Sequence, residues 1–285
     1  MNDLIVARGL SKSYGVTHAL QDASFAVGAG RIVGLIGPNG AGKTTALKAV
    51  LGLARFQGEL SVLGLDPYRQ RHKLMQDVCF IADVAVLPRW IRVRQLINLV
   101  AATHPKFRRD VCEQFLSRTD IKRDSRVREL SKGMVTQLHL ALVMAIDAKL
   151  LILDEPTLGL DILVRKQFYE TLLTEYFDEQ RTILVTTHQV EEIEHILTDL
   201  IFIDRGRIVL DAAMDEVQET YAQVAVRPEQ LAAARAQQPI AERQGLGRTH
   251  MLFRGMDRAD LERFGDVGVP SVADLFVAVI EGARA

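Results

Sequence analysis

The run Arg31-Ile32-Val33-Gly34-Leu35-Ile36-Gly37-Pro38-Asn39-Gly40-Ala41-Gly42-Lys43-Thr44-Thr45 decides the fold. It opens as a mostly apolar strand and passes into a glycine-rich turn. From Lys43 to Leu53, apolar residues (Leu47, Val50, Leu51) then recur at helical spacing. The turn, Gly37 to Thr44, fits G-x-x-x-x-G-K-[ST]. Its glycines let the backbone curl so that successive N–H groups face phosphate oxygens. The following helix adds the positive end of its dipole. Lys43 supplies a mobile point charge for β- and γ-phosphates, and Thr44 a hydroxyl for Mg²⁺. A chain of this length matches the pattern by chance about once in 100, and the flanking strand and helix make coincidence rarer. Asn39, Gly40, Ala41, Gly42, Lys43, Thr44 and Thr45 are therefore expected to bind a nucleotide.

Working outward, Leu4 to Ala7 and Ala23 to Val27 read as short strands ahead of this unit. From Arg92 to Ala148 the pattern is mainly helical, with breaks near His104-Pro105 and Ser131-Lys132-Gly133. Two apolar strands follow, Leu150 to Leu153 and Ile183 to Thr186, with a helix from about Ile162 to Phe177 between them. Apolar strands alternating with helices predict a mainly parallel sheet covered on both faces. Leu200 to Leu210, turning at Asp204-Arg205-Gly206, reads as a closing hairpin. Past about Ala213 the pattern changes. Strands at Ala222 to Val226 and Met251 to Phe253, a helix at Glu229 to Ala236, and a final helix begun by Ser271-Val272-Ala273-Asp274 predict a small α/β accessory domain. The expected division is 1–212 and 213–285.

Composition bounds the partners. The 285 residues carry a formal charge of −1, which gives no electrostatic reason to expect nucleic acid. Cys79 and Cys112 stand far apart in no metal-like spacing and read as reduced thiols of a cytoplasmic protein. The start of the chain lacks the basic flank and apolar stretch of a signal peptide. The most apolar stretch, Leu138 to Leu153, is interrupted by His139, Asp147 and Lys149, so it does not span a bilayer.

Leu150 to Leu153 delivers Asp154 and Glu155 at its end. Alone, such a pair is more often a solvated strand terminus. After the phosphate cradle it reads as chemistry: Asp154 holds Mg²⁺, directly or through its waters, and Glu155 polarises an attacking water. With Leu130-Ser131-Lys132-Gly133-Met134 about twenty residues ahead, the chain resembles an ATP-binding cassette ATPase from about Leu4 to Leu210. The resemblance implies a P-loop NTPase cassette, with an antiparallel β subdomain and a helical signature subdomain beside the parallel sheet. It implies that Ser131 and Gly133 meet the γ-phosphate of ATP held by another protomer and that Tyr14 stacks on adenine. It also implies that Leu160-Asp161 contacts that protomer and that His188 is the switch histidine at the γ-phosphate. A lone Tyr or His is usually bland, but order and spacing among stronger motifs promote these two.

Two positions depart from the family. Asp83 stands where it usually places a Gln that ligates Mg²⁺, and the signature reads Leu-Ser-Lys-Gly-Met instead of Leu-Ser-Gly-Gly-Gln. Lys132 reads equally as a cation near phosphate or as a solvated side chain. With the Pro270 to Phe276 ending, these features resemble bacterial exporter-type systems. The expectation is an ATP-hydrolysing subunit with ATP and Mg²⁺ as its cofactors. It works as a homodimer, or a dimer with a related cassette, driving separate transmembrane permease subunits from the inner face of the cell membrane. The alternative is a soluble cassette ATPase coupled to no permease.

Overall fold

The computed structural model describes residues 3–81, 87–158, 160–178, 180–245 and 247–284. The chain opens with β1 (Asp3–Tyr14) and β2 (Thr17–Gly28), a hairpin, then β3 (Ile32–Ile36) and α1 (Lys43–Val50). β4 (Gln57–Val62), α2 (Arg71–Leu74) and β5 (Val78–Ile81) follow. Helices α3 (Val93–Thr103), α4 (Arg109–Leu116) and α5 (Lys132–Met144) come next. Then come β6 (Leu150–Asp154), α6 (Ile162–Thr171), β7 (Thr182–Thr187), β8 (Asp199–Asp204) and β9 (Arg207–Ala213). The tail holds α7 (Met214–Thr220), β10 (Tyr221–Val226), α8 (Leu231–Arg235), β11 (Ala241–Gln244) and β12 (Thr249–Arg254), followed by α9 (Arg258–Leu261), β13 (Gly265–Gly268) and α10 (Val272–Arg284).

The central sheet has six strands in the order β5-β6-β7-β3-β8-β9, all parallel except the β8–β9 pair. Its continuous apolar strands are explained by two cores, one on each face. Ile32, Ile36, Leu151, Leu153, Ile183, Val185, Leu200 and Phe202 point into one, shared with α5, α6 and α10. Val33, Leu35, Leu150, Ile152, Leu184, Ile201 and Ile203 point into the other. That second core is roofed by α1 and by an antiparallel sheet of order β2-β1-β4. A third core joins α3, α4 and α5 through Leu96, Ile97, Cys112, Leu116, Leu138 and Ala141.

Two elements differ from their sequence reading. The short strands expected at 4–7 and 23–27 are the first part of β1 and the last part of β2, each strand being 12 residues long. Their remaining residues include polar, partly or fully exposed runs, Ser11, Lys12 and Ser13 in β1 and Thr17 and His18 in β2, so apolar content marks only part of each strand. The helix after Ile162 widens beyond Thr171, where the Phe177 N–H bonds the Leu172 carbonyl five residues back at 2.9 Å.

In the tail, β10-α8-β11-β12-α9-β13 forms an antiparallel sheet of order β11-β12-β10-β13, a split β-α-β arrangement. Val224, Val226, Met251 and Phe253 on one face pack with Ala234, Leu261 and Phe264. Tyr221 and Leu252 join the cassette core instead.

Candidate active site

Strands β3, β7 and β6 lie side by side, with Ile36 opposite Thr187 and Thr186 opposite Asp154. Gly37, His188 and Glu155 therefore leave the sheet along one edge, the carboxyl ends of parallel strands where ligands of such sheets bind. The turn after β3 is closed by the Ala41 N–H on the Pro38 carbonyl at 3.0 Å. Gly206, in the β8–β9 turn, braces it from behind with a 2.8 Å bond to the Ala41 carbonyl. Two glycines here are obligatory. A Cβ on Gly37 would stand 2.4 Å from the Ile203 carbonyl oxygen. One on Gly42, at φ +115°, would stand 2.5 Å from the Ala19 carbonyl oxygen.

Lys43 opens α1 and is 7% exposed. Its Nζ donates to the Gly37 carbonyl at 2.6 Å and lies 3.7 Å from Glu155 Oε1. Burial pushes its pKa below the ordinary lysine value, and Glu155 and Asp154 oppose that push. Glu155 adopts φ +48°, a left-handed conformation that costs a non-glycine residue about 1–3 kcal/mol. Its second oxygen, Oε2, meets His188 Nδ1 at 2.9 Å. One carboxylate thus carries the loop lysine on one oxygen and the post-β7 histidine on the other.

The acidic pair is held by a residue to which the sequence reading gave no role. Thr186 Oγ1 donates to Asp154 Oδ1 at 2.7 Å and accepts from the Glu155 N–H at 3.2 Å. The Glu155 N–H also lies 3.1 Å from the Thr186 carbonyl. Thr186-Thr187-His188 placed hydroxyls at the end of an apolar strand, and that was the available signal.

The other expected residues are placed as follows. Asn39, Gly40 and Thr44 are exposed along the turn and α1, with Ala41 buried and Thr45 half-buried. Tyr14, at the end of β1, is 49% exposed with Lys12 Nζ 4.9 Å from its ring centre. Its hairpin reaches the turn through Ala19. Ser131 caps α5, its Oγ accepting from the Met134 N–H at 3.2 Å, and Gly133 sits in the first turn against Val164. Among the described residues, no hydrogen bond or ion pair joins Ser131 or Gly133 to residues 37–44. Asp161 caps α6, accepting from the Leu163 and Val164 N–H groups. Asp83 lies outside the described residues.

The chemistry of the donors suits Mg²⁺. The exposed Thr44 hydroxyl and the Asp154 carboxylate are hard oxygens, the kind this ion takes together with phosphate and water. Among the described residues, no group of three or more His, Cys, Asp or Glu forms another metal cluster.

A buried strand, a glycine turn around a helix-first lysine and an acidic pair on the adjacent sheet edge define a P-loop nucleotide-binding protein. Comparison with known proteins narrows the class. Residues 20–158 match the ABC transporter family model. The chain is 36% identical over 221 residues to a Nod factor export ATP-binding protein I of Burkholderia orbicola, covering 72% of this chain and 69% of the relative. It is 28% identical over 221 residues to the ABC transporter ATP-binding protein YtrB of Bacillus subtilis, covering 78% and 76%. A solved ATP-binding subunit of an ABC transporter superposes with TM-score 0.66 at 26% identity, over 75% of this chain and 92% of that one. The fold is shared with cbiO1 of Clostridium perfringens, described as part of the transporter complex cbiONQ, at TM-score 0.65 and 24% identity over 76% and 91%. The chain belongs to the ATP-binding cassette transporter family, as an ATP-binding subunit of a transporter and not as the soluble alternative. No described helix is long and apolar enough to cross a membrane.

Proposed function

We propose that this subunit hydrolyses Mg-ATP at two composite sites formed by a head-to-tail dimer, with itself or with a related cassette. The cycle drives export through separate membrane-spanning subunits, from the inner face of the cell membrane. Export is favoured by the likeness to the Nod factor export ATP-binding proteins. The observation that carries hydrolysis is Glu155, with Lys43 at one carboxylate oxygen and His188 at the other.

In this reading Lys43 exchanges the Gly37 carbonyl for the β- and γ-phosphates, and the turn's N–H groups take phosphate oxygens. Thr44 and Asp154, together with Asp83, would hold Mg²⁺, which would supply charge neutralisation at the phosphates. Tyr14 stacks on the adenine. Glu155 takes a proton from water as its oxygen bonds the γ-phosphorus and the bond to ADP breaks. His188 holds Glu155 in line and touches the γ-phosphate. Ser131 and Gly133 of the other protomer close the site with a hydroxyl and helix N-terminal amides. Residues 213–285 form the accessory unit.

Glu155→Gln is expected to lower hydrolysis about 10²–10⁴-fold while ATP still joins the protomers, giving a Mg-ATP dimer by light scattering. Adding Ser131→Arg is expected to remove that dimer and leave the ATP affinity of the monomer intact. A Glu155→Gln protein that stays monomeric at high concentration with Mg-ATP, with or without permease, sinks the composite site.

A further inference from the structure

Arg165 lies on α6, outside the nucleotide-facing residues, yet its guanidinium reaches the two loops that flank them. Nε donates to the Leu160 carbonyl at 2.7 Å, and Nη1 donates to Gln189 Oε1 at 2.6 Å. Nη1 also pairs with Glu192 Oε1. Leu160 follows the Glu155-Pro156-Thr157-Leu158 segment, and Gln189 is the residue after His188. The side chain is 19% exposed, so these bonds are shielded from water. Gln189 is itself anchored, its N–H on Thr187 Oγ1 at 2.9 Å. A guanidinium is a rigid planar fork, so it holds two loops at a set spacing where a lysine reaches one partner at a time.

Arg165 is not needed to start its own helix. Asp161 caps α6, and Phe168 and Tyr169 bury its inner face. The other oxygen of Glu192, Oε2, is buried and has no hydrogen-bond partner among the described residues, so Arg165 is also the cation this carboxylate depends on.

We propose that Arg165 is a positioning residue for hydrolysis. It ties the loop after Glu155 to the loop carrying His188, so that the 2.9 Å contact between these side chains is kept. The inference rests on the reading that Glu155 and His188 serve hydrolysis. A shift of a positioned group by about 1 Å lowers turnover about 100-fold, whereas phosphate binding at residues 37–45 lies outside this linkage.

The test compares Arg165→Lys, Gln189→Ala and their combination by steady-state ATPase, binding of a fluorescent ATP analogue, and thermal melting. Arg165→Lys is expected to lower kcat about 10- to 100-fold, with KM and analogue affinity within about twofold and melting little changed. Gln189→Ala lowers kcat in the same manner, and the double variant is no worse than Arg165→Lys because one contact is removed twice. Should Arg165→Lys melt early, Arg165→Met with Glu192→Gln removes the unpaired carboxylate, and Gln189→Ala alone still reads the linkage. A kcat within twofold of the parent, a loss appearing in KM alone, or losses that multiply in the double variant would each overturn the proposal. Glu155→Gln in the same assay separates the two readings. If it hydrolyses ATP normally, the function proposed for the site falls. If it is inactive while folded Arg165→Lys is normal, only the role of Arg165 falls.

Discussion

The Thr186 hydroxyl donates to Asp154 Oδ1 at 2.7 Å and accepts from the Glu155 N–H at 3.2 Å, so one side chain orients both acids. Thr186 is fully buried, which denies its partners any exchange with water. Thr186→Val keeps the shape and removes the hydroxyl, leaving a carboxylate oxygen without its donor. Loss of such a partner costs about 1–3 kcal/mol, so the unfolding free energy read from urea titration should fall by that amount. Turnover should fall with it, as Asp154 and Glu155 lose their fixed orientation, and Thr186→Ser should recover most of both. Unchanged hydrolysis in Thr186→Val would mean that the strand end alone sets the acids. Gly42→Ala tests a different constraint. Its methyl group meets the Ala19 carbonyl at 2.5 Å at a backbone φ of +115°. The turn must deform, and ATP binding is expected to be lost even where the protein still folds, as a fluorescent analogue would report.

Among the described helices, α5 contributes buried residues to two cores: Leu140 and Val143 face the sheet, and Leu138, Ala141 and Leu142 face α3 and α4. His139 lies on the same helix. Burial holds its pKa down to about 4, and its Nδ1 has no partner in the described structure. In the unfolded chain a histidine titrates near 6.5, so below that pH the unfolded state gains a proton that the folded state refuses. Stability should therefore drop as pH falls from about 6.5 toward about 4, by about 1–2 kcal/mol between pH 7 and pH 5. His139→Leu should flatten that part of the profile in urea titrations at the two pH values. A parent-like slope in the variant would assign the effect to other groups. The sequence displayed α5, the parallel strands and the phosphate turn because each is a local pattern: a run, a period, a glycine spacing. It displayed the acids and His188 because they end apolar strands. It did not display the pairing of Thr186 with Asp154 and Glu155, or of Arg165 with Gln189. Those contacts span 24 to 32 positions and exist only because β7 lies beside β6 and the post-β7 loop lies against α6. Strand order is not written in the period of any single segment.

At the scale of the whole molecule, the tail is joined to the cassette by its last helix. Val272, Leu275 and Ala278 of α10 lie in the same core as Val190, Ile193, Leu200 and Phe202. Phe276 meets Phe202 edge to face at 5.1 Å, and the Val272 N–H bonds Glu194 Oε2 at 3.0 Å. The split β-α-β sheet between β9 and α10 keeps a core of its own. Two deletions therefore differ in outcome, although the shorter one is contained in the longer. Ending the chain near Met214 strips α10 from the central sheet, and each large apolar side chain uncovered gives up about 1.5–3 kcal/mol. The loss adds up to a large share of the 5–15 kcal/mol that holds a typical domain together. That protein should melt far below the parent or aggregate. Replacing residues 221–268 by a flexible Gly/Ser linker removes the small sheet and keeps α10 on Phe202. It should retain most of the melting temperature and ATP binding, less the contribution of Tyr221 and Leu252 to the main core. Leu275→Ala isolates the helix without any deletion, and at a fully buried position is expected to cost about 2–5 kcal/mol. If truncation at 214 melts like the parent while the linker variant collapses, the order of dependence is reversed: the small sheet supports the cassette, and α10 merely rests on it.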